Sequence, residues 1–137
     1  MNHWLLKSEP SAYSWDDLLR DGGTAWSGVR NHQAAQNLKA MKKGDRAFLY
    51  HSNEDLAIMG VVEIAKEAYP DPSDPTGRFV MVDVKPLQPV KAPVTLAAIK
   101  ATAKLRALAL VRQSRLSVVP VSSAEWAVLA TMAGITA

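Results

Sequence analysis

Three histidines, at positions 3, 32 and 51, are the first place to look for metal or acid–base chemistry, and their spacing argues against it. The chain holds neither a His-Glu-x-x-His helix motif nor a His-x-Glu followed by a cysteine pair. Cysteine is absent altogether, which excludes disulfides, thiolate nucleophiles and zinc knuckles together. Ser8 and Ser52 lack the glycine-flanked elbow that exposes a hydrolase serine. His51 and Ser52 are adjacent, and neighbouring strand residues face opposite ways, so they do not seed a triad. The seven glycines are dispersed, leaving no phosphate-cradling loop. No catalytic residue, metal or cofactor is therefore expected.

What remains is a group of aromatic and amide residues beside basic ones. Trp26-Ser27-Gly28-Val29-Arg30-Asn31 has loop character, and a tryptophan there is either a core plug or the wall of a pocket. Asn31 is a good N-cap, and the helix it opens presents free N–H groups to a phosphate or a base acceptor. Lys42, Lys43 and Arg46 form either a solvated face or a phosphate-tracking one. Arg112 and Arg115 are three apart, just before an expected strand, where they bracket a phosphate or make ion pairs. Trp4, Trp15 and Trp126 are assigned to packing.

The elements that would position these residues are legible. Residues 3–8 suit a strand halted by Pro10. Ser14-Trp15-Asp16-Asp17 is a capping box opening a short helix that Gly22-Gly23 ends. Ala34, Ala35, Leu38 and Met41 form the apolar stripe of a second helix, broken at Gly44-Asp45. Arg46–Ser52, Ile58–Ala68 and Arg78–Val84 are strand-like, with a turn at Asn53-Glu54-Asp55. Tyr69–Gly77, rich in proline, is a surface loop. A short helix follows at Thr95–Lys100, then a strand at Leu116–Val119 stopped by Pro120. Ser122-Ser123-Ala124-Glu125 caps a last helix whose apolar face is Trp126, Leu129 and Met132-Ala133. Strands interleaved with short helices, without a βαβ rhythm, indicate an α+β fold.

At 137 residues the chain fits a single domain, 1–137, and its 48% apolar and 21% charged content is ordinary for a globular protein. No run approaches the ~20 apolar residues of a membrane span, and the N-terminus has no signal-peptide pattern. A cysteine-free chain suits the reducing cytoplasm. The net charge of +3 tilts the partner mildly toward an anion.

The chain resembles EVE-domain proteins, in the PUA-like superfamily and akin in architecture to YTH readers. The resemblance is carried by Trp4-Leu5-Leu6-Lys7-Ser8-Glu9-Pro10, Trp26–Ala34, Lys42-Lys43-Gly44-Asp45, Phe48–Asn53 and Gly60–Ile64. It continues through Ala68–Pro72, Met81–Val84 and Leu110–Val118. It implies a curled, mostly antiparallel β-barrel flanked by short helices, with a pocket between the barrel mouth and the helix that Asn31 begins. It further implies that Trp26 is the principal wall, that Ser8 and Asn31 give polar contacts, and that Tyr50, His51, Ser52 and Asn53 form the opposite side. Phe79 stands where relatives often carry tryptophan.

The function expected is a non-enzymatic module that takes one nucleobase, in particular a modified one, from DNA or RNA, with the monomer favoured. Arg30, Lys42, Lys43, Arg112 and Arg115 would hold the backbone through contacts that weaken with salt. Trp26→Ala should abolish base binding and leave the fold intact. Two alternatives stand beside it: a small-molecule or protein-interaction module on the same scaffold, and an enzyme acting on modified nucleobases with His51 as acid or base.

Overall fold

The computed structural model describes residues 2–135. Six strands make one mixed sheet: β1 (His3–Ser8), β2 (Thr24–Ala25), β3 (Arg46–His51), β4 (Ala57–Pro70), β5 (Val80–Thr95) and β6 (Val118–Val121). Their order is β2-β5-β4-β3-β1-β6. The β1–β3 pair is parallel, with His3 beside Arg46 and Ser8 beside His51, and the other pairings are antiparallel. Register shifts along β4 and β5 curl the sheet. The expected barrel does not close. The edge strands β2 and β6 are two and four residues long, too short to pair across the gap.

Five helices surround the sheet: α1 (Trp15–Asp21), α2 (His32–Ala40), α3 (Leu96–Lys100), α4 (Ala109–Arg112) and α5 (Ser123–Ala133), with a 3-10 turn at Ala103–Leu105. Local chemistry sets their ends. Ser14 and Ser122 make the reciprocal capping boxes with Asp17 and Glu125, and Gly22 ends α1 in the left-handed conformation. Leu5, Leu6, Phe48, Leu49, Ile58 and Ile64 are fully buried, together with Leu18 and Leu38 from the helices. β1 does not alternate: Trp4, Leu5 and Leu6 are all buried in a strand paired with β3 on one side and β6 on the other.

Two strands run past the ends expected for them, Val84 in one case and Pro120 in the other. β5 continues through Pro86, Pro89 and Pro93 to Thr95, and β6 includes Pro120. Both are edge segments there: beyond Val84, β5 pairs only with β4, and β6 pairs only with β1. An edge strand leaves half its N–H groups without a ladder partner anyway, so proline costs little.

The three packing tryptophans are buried as expected. Trp126 stacks on Phe48 with ring centres 3.9 Å apart. Trp4 donates its indole N–H to buried Asp45, which also receives the backbone N–H groups of Asn2 and Lys42. Trp15 lies across Gly60 so closely that a Cβ there would sit 2.5 Å from the ring.

Candidate nucleic-acid interface

A cleft of about 430 Å³ opens at the C-terminal end of β1, within the roughly 300–1,000 Å³ typical of small-molecule sites. Its walls are Lys7, Ser8 and Glu9 leaving β1, Ala12 and Tyr13 before α1, the segment Thr24–Arg30, and Ser117 before β6. Each wall is fixed by the backbone. Trp26 N–H donates to the Val82 carbonyl of β5 at 2.7 Å, and Tyr13 N–H donates to the Glu9 carbonyl. Ser8 Oγ donates to the Tyr13 carbonyl at 2.6 Å, so its lone pairs remain as acceptors.

The aromatic content of the cleft is Trp26 and Tyr13. Their rings meet edge to face, 6.5 Å apart at 83°. Trp26 is only 9% exposed, so it is both a member of the core and a lining residue. Truncating it to alanine would cost roughly 3–5 kcal/mol of stability, which corrects the expectation that the fold would be untouched. Tyr13 is half-buried, and its hydroxyl donates to Asp21 at 2.8 Å. Burial, then the Asp21 hydrogen bond, hold the phenol above its ordinary pKa.

The segment carrying Trp26 is anchored from below by Asp71, a residue with no assigned role in the sequence reading. The Asp71 side chain is wholly buried. Its Oδ2 accepts from Gly28 N–H at 2.8 Å and pairs with Arg30 Nη1 at 3.3 Å. Its Oδ1 accepts from the N–H and hydroxyl of Ser73. Desolvation pushes this carboxyl up, and the combined hydrogen bonds of Ser73, Gly28 and Arg30 outweigh it, leaving a pKa of about 2. Gly28 sits at φ +84, a left-handed turn that aims its N–H at the carboxylate. Asp74 repeats the device inside the same loop, accepting from Thr76, Arg78 and Phe79.

The expected site residues divide into three groups. Ser8, Trp26 and Arg30 line the cleft. Asn31 caps α2 through Ala34 N–H and lines an adjoining hollow of about 340 Å³ with Gln33 and Arg112–Leu116, so Arg112 and Arg115 meet there. The rest lie elsewhere. Tyr50 and His51 are buried in β3 and do not line the cleft. His51 Nε2 accepts Trp15 N–H at 3.0 Å, which leaves the proton on Nδ1 to donate to Asp55 at 3.0 Å. Both ring nitrogens are thus engaged, Nε2 tying α1 to β3 and Nδ1 holding Asp55 of the following turn. Ser52 is half-buried and is joined to Ser8 through the backbone; Asn53 is an exposed left-handed turn residue. Phe79 packs on His32 at 5.2 Å and under the Arg30 guanidinium at 5.5 Å, outside the cleft. Lys42 and Lys43 precede β3 at the end where Asn2 enters, tied through Asp45 and Glu67. Five residues of β1 separate that end from Ser8, roughly 17 Å of strand.

Lys7, Glu9, Tyr13, Asp71 and Ser117 complete the surroundings and were not singled out in the sequence. Lys7 is half-buried; its ammonium donates to the Ser114 carbonyl at 2.8 Å, and desolvation lowers its pKa. The repeated Asp-Pro-Ser and Asp-Pro-Thr of residues 71–76 was an available signal for two side-chain-closed turns. Nothing local showed that the first carboxylate reaches Gly28.

The EVE domain family model matches residues 2–132. The chain belongs to the EVE domain family. Human thymocyte nuclear protein 1 is 35% identical over 159 aligned positions, covering 91% of this chain and 71% of that protein. The NMR structure of Rpa0253 from Rhodopseudomonas palustris is 54% identical with a TM-score of 0.93, over 98% of this EVE domain and 94% of that chain. A crystal structure of human THYN1 in complex with 5-methylcytosine containing DNA is 32% identical with a TM-score of 0.91, covering 100% of both chains. The mixed sheet and its five helices are thus an α+β, EVE-type fold. Among the described residues no group of His, Cys, Asp and Glu is placed to hold a metal, and no helix is long and apolar enough to cross a membrane.

Proposed function

We propose that this EVE domain is a non-enzymatic reader that binds DNA through one modified base, a 5-methylated cytosine or a close analogue, held in the Trp26–Tyr13 cleft. The observation that carries the reading is that cleft: a hollow of about 430 Å³ with two aromatic residues, a hydroxyl acceptor and two cationic side chains on its rim. The human relative solved with 5-methylcytosine DNA at a TM-score of 0.91 supports the choice of ligand. Ser8 and Trp26 keep the base-side roles and Arg30 its backbone-holding role at the cleft rim, Asn31, Arg112 and Arg115 belong to the neighbouring hollow, and Tyr13 takes the place assigned to Phe79. The module acts as a single cytoplasmic domain and as a monomer.

The energetics are modest and additive in kind. A base leaving a duplex costs a few kcal/mol, less from a single strand. Contact with an aromatic side chain returns roughly 1–3 kcal/mol. Burying the 5-methyl group adds up to about 0.8 kcal/mol, a few-fold in affinity. Larger discrimination requires the cleft to penalise the unmethylated base.

The test is a fluorescence-anisotropy titration of matched single-stranded oligonucleotides carrying cytosine or 5-methylcytosine. Tyr13→Ala is the informative variant because Tyr13 is half-buried, whereas Trp26 is part of the core. Tighter binding of the methylated strand, lowered about tenfold or more by Tyr13→Ala in a protein that still melts cooperatively, is the expected result. Equal affinity of parent and variant would remove the cleft from recognition.

A further inference from the structure

Lys7 is a half-buried cation with no carboxylate partner among the described residues. Its ammonium spans 107 positions of sequence to reach the Ser114 carbonyl. Among the described residues the cations paired with carboxylates are Arg20, Arg30 and Lys85, and Lys7 is not one of them. A lysine that reaches for a carbonyl still has two N–H donors and its full charge to offer.

Its position is informative. Lys7 lines the aromatic cleft, while its hydrogen-bond partner Ser114 lines the neighbouring hollow. The two hollows also share their rims. Val29 and Arg30 line the cleft and Asn31 and Gln33 the hollow; Ser117 lines the cleft and Arg112–Leu116 the hollow. The same two chain segments therefore border both hollows, Lys7 lies in the cleft bonded to a residue of the hollow, and Arg112 and Arg115 are exposed. Arg112 is steadied by its Nε hydrogen bond to the Arg106 carbonyl at 2.8 Å.

We infer that Lys7 binds the phosphodiester next to the captured base, and that the strand leaves the cleft along the Arg112–Arg115 hollow and away from Lys42 and Lys43. This rests on the base-reading function and adds the direction of the backbone and its first cationic contact. An anion arriving there supplies the negative charge that Lys7 lacks, and the polar rim of Asn31, Gln33 and Ser114 accommodates the sugar–phosphate chain.

The experiment measures the affinity of the full chain for a single-stranded 5-methylcytosine oligonucleotide, and for its unmethylated counterpart, between 50 and 200 mM salt. Lys7→Met keeps the aliphatic stem and removes the charge; Lys7→Arg keeps the charge; Lys42→Met/Lys43→Met tests the rejected path. One phosphate contact on a single strand contributes about 0.7 to the slope of log K against log salt. Lys7→Met should bind about tenfold more weakly at low salt. Across this fourfold salt range its affinity should fall about 2.6-fold less than the parent's. Lys7→Arg should restore the slope, which a purely structural role for the lysine would not require. The double variant should keep the parental slope. A Lys7→Met protein with the parental slope overturns the inference, and so does a slope lost at Lys42 and Lys43. A parent that binds both strands equally but loses slope at Lys7 would sink only the base reading; a parent with no salt-dependent binding sinks the phosphate path.

Discussion

Replacing Asp71 by asparagine probes how far the cleft depends on a residue that never touches its contents. The change is nearly isosteric, but it exchanges one acceptor oxygen for an NH₂ donor. Both oxygens of Asp71 are fully used, Oδ1 by Ser73 and Oδ2 by Gly28 and Arg30. Whichever way the amide turns, it sets a donor against donors. The Arg30 side chain is 40% exposed and can rehydrate, so that pair contributes little. The loss is concentrated in one backbone N–H facing the carboxylate, and a hydrogen bond to a charged group contributes roughly 1.5–3 kcal/mol. Thermal unfolding should therefore fall by roughly 6–12 °C for a domain of this size. Binding should weaken too. Freeing one residue of the Trp26–Arg30 segment obliges the ligand to re-order it, at about 1–2 kcal/mol, so affinity for the 5-methylcytosine oligonucleotide drops roughly 5- to 30-fold.

The same carboxylate sets a pH signature. Its folded pKa of about 2 lies below the ordinary 3.8, so the folded chain binds this proton less readily than the unfolded chain. Its stabilisation is fully present above about pH 4 and is lost as pH falls toward 2. Asp74 is depressed in the same direction, chiefly by the Thr76 hydroxyl. Asp71→Asn should accordingly flatten the acid limb of the stability curve, leaving the part due to Asp74. Parental melting temperature, affinity and acid limb in this variant would refute the anchoring argument.

Two further outcomes follow from the packing. Gly60→Ala would place a methyl carbon 2.5–2.6 Å from the buried Trp15 ring, and overpacking of this kind costs about 1–3 kcal/mol or more, visible as an early denaturation midpoint; a parental midpoint would show that the ring moves freely. His51→Ala should lose about 1–3 kcal/mol of stability because Trp15 N–H is left without its acceptor. A variant as stable as the parent, or one whose loss appears in turnover of a modified nucleoside, would contradict the structural role.

Much of the scaffold was determined by local chemistry, and the reason is physical. Capping boxes at Ser14 and Ser122, the Asn31 cap and the left-handed Gly22 act within a few residues, so their effect is visible in a short window of sequence. The clustering of apolar residues in β1, β3 and β4 likewise announced strands. Edge status was not local: Pro86, Pro89 and Pro120 look like stops until the sheet order shows which side of each strand is unpaired.

The site shows the same division more sharply. Trp26 and Arg30 could be named from the chain because they lie in a stretch of loop character before a helix, and Ser8, at the end of β1, through the family resemblance. Tyr13 joins Trp26, Asp71 holds Gly28 and Lys7 meets Ser114 only after the sheet is assembled, since these partners are 13, 43 and 107 positions apart in the sequence. Asn53, Phe79, Lys42 and Lys43 have suitable side chains, yet tertiary packing turns them to a turn, a neighbouring surface and the far end of β3. Residue type determined which side chains could recognise a base or a phosphate. Which of them share one cleft was decided by strand order and loop anchoring, because binding groups must converge in space and the sequence constrains only their neighbours along the chain.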